Sequence, residues 1–99
     1  MELSEKQRKH LRRLAHPMHP IVMLGNAGLT DGVLKEFNRA LRDHELIKAS
    51  ARCSDRQTRD ALLEDIARQT GSLLVQRVGN VAVFYRRSDG MPKVILPDE

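Results

Sequence analysis

The chain has 99 residues, of which 40% are hydrophobic and 30% are charged, a composition typical of a single soluble domain. This balance excludes an intrinsically disordered chain, and no apolar run approaches the roughly 20 residues that a membrane-spanning helix needs. Its 17 Lys and Arg outnumber 13 Asp and Glu, and the resulting net charge of +4 favours a polyanionic partner.

The first predicted element is a basic amphipathic helix. Ser4 and Gln7 match the capping-box pattern that begins a helix, and we expect this helix to run to about His16. Its apolar stripe is flanked by cations on both sides. One flank carries Lys6, Lys9 and Arg13, and the other carries Arg8 and Arg12. Such a helix either faces a polyanion or is an ordinary solvated helix, and its residues leave both interpretations open.

A glycine loop follows the first predicted strand. The apolar run 21–24 predicts a short buried strand, and the apolar spacing after residue 29 predicts a helix that ends at about Asp43. Thr30 or Asp31 caps this helix. Between the strand and the helix lies the sequence Gly-Asn-Ala-Gly, a GxxG pattern at 25–28.

This loop has the chemistry of a phosphate-binding site. Two glycines allow a phosphate to approach the backbone closely, and the start of the next helix offers unpaired N–H groups and the positive end of its dipole. A threonine hydroxyl adds a donor if it is not used as the cap. The alternative is that both glycines merely permit a tight turn. The residues predicted to hold an RNA backbone here are Gly25, Asn26, Ala27, Gly28 and Thr30.

The second half of the chain predicts a strand, a helix and a hairpin. The turn of the hairpin is Gly79-Asn80, a favourable two-residue connection between β-rich runs. The predicted bounds are 46 to about 52 for the strand, Ser54 or Asp55 to Gly71 for the helix, and 73–78 and 81–86 for the hairpin strands.

The order helix, strand, helix, strand, helix, strand, strand predicts an α/β fold. We expect one compact two-layer domain in which a four-stranded mixed sheet is packed with three helices. The single domain covers residues 1–99, with its core at about 3–87. Residues 88–99 form a C-terminal extension, in which 93–96 either add a short edge strand or dock on the surface.

The sequence predicts no catalytic, metal or cofactor site. The histidines and Cys53 lack the paired spacing of a zinc site, and neither a nucleotide-binding fingerprint nor a nucleophile elbow is present. We therefore expect a protein that is not an enzyme and needs no cofactor. The single cysteine and the lack of an apolar signal segment at the N-terminus predict a cytoplasmic protein.

Several motifs together carry a resemblance to a known family. They are Leu14-Ala15-His16-Pro17, Val22-Met23-Leu24-Gly25-x-x-Gly28-Leu29-Thr30, His44-Glu45-Leu46-Ile47-Lys48 and Gly79-x-x-x-Val83-x-Tyr85-Arg86. With these motifs the chain resembles the bacterial YhbY proteins, stand-alone members of the CRM (chloroplast RNA splicing and ribosome maturation) domain family. The resemblance covers about residues 3–87. It implies four strands and three helices, as in the C-terminal domain of the third bacterial initiation factor.

The resemblance also implies a function. Members of this family bind RNA through the GxxG loop and nearby basic residues, and bacterial members associate with precursors of the large ribosomal subunit. In this chain Lys48 and Arg86 extend the predicted basic surface. One departure is that Asn26 and Ala27 are neutral where many family loops carry a cation. Backbone N–H groups must therefore contribute more of the binding.

We predict a monomeric protein that binds ribosomal RNA during assembly of the large subunit, with no membrane or small-molecule partner. One alternative is a protein-interaction module whose basic first helix binds an acidic partner, and such binding would be insensitive to the GxxG loop. A second alternative is an enzyme that acts on ribosomal RNA, for which the sequence offers neither a cofactor loop nor an acid–base pair.

Overall fold

A computed structural model describes residues 2–25, 27–53 and 55–98. Its elements are α1 (Glu5–Ala15), β1 (Val22–Leu24), α2 (Asp31–His44), β2 (Leu46–Ala51), α3 (Arg56–Thr70), β3 (Leu73–Val78) and β4 (Val81–Tyr85). The predicted α/β class and the order of the seven elements are confirmed. Within the described ranges, no helix has the length and apolar character needed to cross a bilayer.

Side chains at the helix starts explain where the helices begin. The capping box of α1 is present, because Ser4 Oγ accepts from the Gln7 N–H at 3.1 Å and Gln7 Oε1 accepts from the Ser4 N–H at 3.0 Å. Thr30, rather than its neighbour Asp31, caps α2. Asp55 caps α3, and the alternative cap Ser54 lies outside the described residues. Each such cap contributes roughly 1 kcal/mol to helix stability.

The sheet has the strand order β1-β2-β4-β3. β1 and β2 are parallel neighbours, whereas β4 lies antiparallel to both β2 and β3. The sheet is therefore mixed, as predicted, and β1 and β3 form its two edges. Gly79 has a φ of 59° in the turn between β3 and β4, a conformation that favours glycine.

Helices cover both faces of the sheet. α2 and α3 pack on one face, and α1 packs on the other. Buried residues of the first face include Phe37, Leu41, Leu63 and Ile66 of the helices and Ile47, Ala49 and Phe84 of the strands. Buried residues of the second face include Leu11 and Ala15 of the helix and Leu46, Val83 and Tyr85 of the strands. We call these the α2/α3 face and the α1 face.

The domain thus has three layers, one more than the sequence predicts. The reason lies in the two central strands, where neighbouring residues are both large and apolar. Leu46 and Ile47 of β2 point to opposite faces, as do Phe84 and Tyr85 of β4, and all four are at most 1% exposed. A sheet with apolar residues on both faces must be covered on both sides.

Glu45 joins the end of α2 to the C-terminal extension. It is fully buried, its backbone has a φ of 64°, and its N–H donates to Leu41 O at 2.8 Å. Its carboxylate accepts three backbone N–H bonds, from Ser88 at 2.7 Å, Lys93 at 2.6 Å and Val94 at 2.8 Å. Because three donors converge on one buried carboxylate, residues 88–94 are held against the body of the domain.

The rest of the extension lies along α1. Gln7 Nε2 donates to Pro97 O at 3.1 Å, and Val94 and Leu96 pack against the buried cluster of the α1 face. No strand forms at 93–96. Of the two predicted arrangements, the structure therefore has the docked one.

Hydrogen bonding controls the ionisation of Glu45. Burial of the carboxylate acts to raise its pKa, but the hydrogen bonds from Ser88, Val94 and Lys93 outweigh burial and lower the pKa from 4.5 to about 2. The charged form is therefore favoured in the folded protein. Because the folded pKa lies below the unfolded one, this stabilisation is present above about pH 4.5 and is lost as the pH falls through 2.

We expect Glu45→Gln to lower the free energy of unfolding at neutral pH by about 1–3 kcal/mol, since the amide N–H2 cannot accept the backbone donors. Urea denaturation followed by circular dichroism measures the change. The wild type should lose stability between pH 4.5 and about 2, and the variant should lose less over that interval. Glu36→Gln, which alters an exposed carboxylate on the same helix, is the control. Equal effects of the two substitutions would contradict the role of Glu45.

Candidate nucleic-acid interface

The GxxG loop lies at one end of the sheet, together with two other chain segments. Because β1 and β2 are parallel, their C-terminal ends meet, and the Arg52 N–H donates to Leu24 O at 3.0 Å. The Ala51 N–H donates to Asn80 O at 2.7 Å, which brings the β3–β4 turn alongside. We call this region the loop end of the sheet. Glu45 and the docked extension lie at the opposite end of β2.

The two glycines of the loop have different structural reasons to be glycine. Gly28 has a φ of 72°, and its N–H donates to Gly25 O at 3.2 Å. Gly25 has no left-handed φ, and a Cβ built on it would meet no atom within 4 Å beyond its chain neighbours. The backbone therefore explains Gly28 but not Gly25. Ala27 is exposed, and the predicted contact residue Asn26 lies outside the described residues.

The hydroxyl of Thr30 caps α2 as an acceptor and can still donate a hydrogen bond. Its Oγ1 accepts from the Val33 N–H at 3.2 Å, so the hydroxyl is used as the cap of α2. A capping hydroxyl acts as an acceptor, and its own O–H remains available to donate to an anion. Asp31 brings a carboxylate into the same turn of the helix. It offsets part of the attraction that the helix dipole exerts on an anion, so a nearby cation is needed.

Arg52 is a cation that the fold places directly beside the GxxG loop. It is exposed, and its backbone is bonded to Leu24, the residue directly before Gly25. Throughout the described part of the chain, its side chain forms no hydrogen bond or ion pair. Sequence reasoning missed this residue. The available signal was the pairing rule, because the residue after the second of two parallel strands lies beside the residue after the first.

The cations of α1 lie elsewhere. Lys6, Lys9 and Arg13 are exposed, and together with His10 and Pro97 they line a depression of about 270 Å³. Pro97 belongs to the docked extension, so this flank of α1 faces the extension rather than the loop end. The structure does not bring these three residues together with the GxxG loop, and their contact with RNA stays a prediction.

The cations of the opposite flank of α1 have partners inside the protein. Arg8 Nη1 donates to Val75 O at 3.1 Å on the edge strand β3. Arg12 forms an ion pair with Glu5 at 3.0 Å. Both guanidinium groups therefore have partners within the protein, and contact of either one with RNA stays a prediction.

Arg86 and Lys48 occupy two further environments. Arg86 Nη1 donates to Asn38 Oδ1 and to Thr70 O, both at 2.8 Å, and so joins α2 to the end of α3. Lys48 lies on the α1 face, where its Nζ donates to His16 O at 3.3 Å. The guanidinium of Arg86 is thus held internally, whereas the ammonium of Lys48 stays near the surface.

The loop end offers neither an exposed aromatic ring nor, among the described residues, a metal-binding cluster. Phe37, Phe84 and Tyr85 are each at most 1% exposed, so the three aromatic rings belong to the core. Among the described residues, no group of His, Cys, Asp and Glu side chains is arranged to hold a metal ion. The described groups that remain for binding at the loop end include backbone N–H groups, the Thr30 hydroxyl, the Arg52 guanidinium and aliphatic side chains.

Comparison with known proteins identifies relatives over almost the full chain. The profile of the CRS1 / YhbY (CRM) domain matches residues 3–86. An RNA-binding protein of Haemophilus influenzae is 45% identical over 95 residues, which are 96% of this chain and 95% of that protein. A protein of Pseudomonas aeruginosa, named as a candidate RNA-binding protein, is 41% identical over 88 residues, which are 89% of this chain and 85% of that protein.

A solved structure has the same fold. The solution structure of a Staphylococcus aureus protein, described as a candidate RNA-binding protein, matches with a TM-score of 0.82 and 33% identity. The match covers 97% of this chain and 100% of that one. This chain and the Staphylococcus aureus protein thus share one fold.

The different roles of the two glycines predict different effects on stability. Gly28→Ala should lower the free energy of unfolding by about 1–2 kcal/mol, because an alanine must adopt the left-handed conformation. Gly25→Ala should change it by less than about 0.5 kcal/mol, because open space surrounds the new methyl group. Urea denaturation of both variants tests this. Equal losses would mean that the fold itself requires glycine at position 25.

Proposed function

Because the chain belongs to the CRS1 / YhbY (CRM) domain family, we propose that it binds RNA and that the GxxG loop holds the sugar–phosphate backbone. The observation that carries this proposal is Gly25, where neither the backbone angles nor the packing calls for glycine. Glycine at such a position leaves room for a ligand to approach the main chain. The names of the relatives from Haemophilus and Pseudomonas support RNA as the ligand.

Binding at the loop uses three kinds of donor. Backbone N–H groups of the loop and of the first turn of α2 approach a phosphate oxygen directly. The Thr30 hydroxyl donates its remaining proton, and the Arg52 guanidinium offers a forked pair of N–H donors that suits a phosphate. Together they replace the basic loop residue that this chain lacks. None of these groups reads a base, so the loop holds RNA without choosing its sequence.

The exposed cations of α1 act over a longer range. Lys6, Lys9 and Arg13 form no ion pair within the part of the chain that the structure describes. A cluster of unpaired cations raises the local concentration of a polyanion and accelerates its encounter with the protein. These residues therefore attract RNA towards the domain, while the loop end holds it.

For the cellular role, we propose assembly of the large ribosomal subunit in the cytoplasm, with no catalytic activity. A basic single domain that holds RNA backbone suits a factor that binds a folding ribosomal RNA. The rival function is a protein-interaction module, and the separation of the α1 cations from the GxxG loop favours it. The rival requires binding that depends on those cations and ignores the loop.

Side chains of increasing size at position 25 distinguish RNA binding at the GxxG loop from the protein-interaction module. We expect the affinity for a short single-stranded ribosomal RNA oligonucleotide to fall from Gly25 to Gly25→Ala to Gly25→Val. The loss should reach about tenfold, since a hydrogen bond to a charged group contributes roughly 1.5 kcal/mol. Fluorescence anisotropy measures the affinity, and thermal unfolding checks the fold.

Gly90→Val is the matched control, because Gly90 also has open space around it but lies in the extension. RNA affinity that is unchanged by Gly25→Val but abolished when Lys6, Lys9 and Arg13 become Gln would refute the loop and assign RNA binding to α1. A folded wild type that binds no RNA would favour the protein-interaction module.

Sedimentation of cell extracts tests the assembly role. We expect the protein to migrate with precursors of the large ribosomal subunit on a sucrose gradient, and Gly25→Val to shift it towards the top. Immunodetection across the fractions measures this distribution. Migration of the wild type only with mature ribosomes, or only with free protein, would argue against assembly.

A further inference from the structure

A row of residues crosses the α1 face at the loop end of the sheet. In the strand register Met23 pairs with Ser50, Ser50 with Val81, and Val81 with Val78. One residue from each strand thus stands in the row, and we call these four residues the platform. Met23 and Val78, at its two ends, are each 66% exposed. Four strands spaced by about 4.8 Å make the platform roughly 14 Å wide.

The platform is open because α1 covers only the other half of this face. Leu11 and Ala15 pack over Leu46 and Tyr85, and Val94 of the extension joins the same cluster. α1 ends at Ala15, and the following segment leads into β1. The half of the face that adjoins the GxxG loop therefore keeps its aliphatic side chains in contact with solvent.

Among the described residues, the lining of the cavity at the platform carries polar donors and no carboxylate. A cavity of about 380 Å³ includes Val78 and Val81 of the platform, and its other lining residues are His16, Lys48, Gln76 and Val83. Its polar groups are the ammonium of Lys48, the imidazole of His16 and the amide of Gln76. An aliphatic floor beside the Lys48 ammonium fits a ligand that combines flat apolar groups with negative charge.

The platform continues directly from the proposed backbone clamp. Met23 stands two residues before Gly25 on β1, so a nucleotide chain held at the loop passes the edge of the platform. We propose that the platform receives the bases of single-stranded RNA whose backbone is clamped at the GxxG loop, an inference that rests on the proposed function. A duplex is excluded from this mode because its bases are stacked inside the helix.

The small exposed area of the platform suits RNA bases better than a second copy of the chain. A stable protein interface buries about 800 Å² on each partner, whereas only Met23 and Val78 are strongly exposed in the platform. Four-stranded sheets of RRM domains stack two or three bases, and this sheet has the same number of strands. Here Met and Val replace the aromatic rings, so contact with bases is sequence-tolerant and weaker.

The test compares normal RNA with a matched oligonucleotide whose bases are replaced by abasic sites. Wild-type protein should bind the abasic oligonucleotide about fivefold more weakly, the low end of the loss per stacked base. Met23→Thr combined with Val78→Thr should weaken binding of normal RNA by about the same factor and leave abasic binding unchanged. Met91→Thr combined with Ile95→Thr, which removes two exposed apolar side chains from the extension, should bind both as the wild type does.

The outcomes separate the platform from the loop. Equal binding of normal and abasic RNA by the wild type would overturn the proposal that bases contact the platform. This comparison needs no variant, so it holds even if the Met23→Thr and Val78→Thr double variant fails to fold. If the two RNAs bound equally and Gly25→Val still weakened binding, the clamp would stand alone. A wild type that binds no RNA would overturn both proposals. A wild-type dimer that Met23→Thr and Val78→Thr convert to a monomer would assign this face to a second copy instead.

Discussion

The parallel pairing of β1 with β2 determines where the candidate contacts of this domain lie. Three residue pairs make up this pairing, Val22 with Ala49, Met23 with Ser50 and Leu24 with Ala51. Because the two strands point the same way, the GxxG loop and Arg52 leave the sheet side by side. The same register puts Met23 in one row with residues of the other three strands. A loop, a cation and an aliphatic surface are thereby joined, although they are distant in sequence.

The opposite end of the sheet is closed by a different interaction. The buried carboxylate of Glu45 collects three backbone N–H groups of the extension, and the extension covers part of the α1 face. Arg86 joins α2 to the end of α3 in the same region. One end of the domain is thus tied together by internal polar contacts. The other end keeps aliphatic side chains open to solvent, and this asymmetry makes it the candidate binding end.

Some arginines of this protein bind oxygen atoms within the protein, whereas Arg52 is exposed. Arg8, Arg12 and Arg86 look alike in sequence to Arg52, yet the first three are engaged with carbonyl, carboxylate or amide oxygens of the protein. A guanidinium that already donates to internal oxygens has fewer donors left for a phosphate. The net charge of +4 therefore supports the proposed attraction for RNA but does not identify the residues of the proposed site.

The sequence by itself determined the elements and their local chemistry. The capping box at Ser4, the hairpin turn at Gly79-Asn80 and the placement of the GxxG loop between a strand and a helix depend on residues close together in the chain, and patterns of spacing report them. Tertiary structure alone decided that α1 covers the second face, that Arg86 points inward and that Arg52 stands beside the loop. These features depend on which strands pair and which face each helix covers, and contacts between distant residues set both.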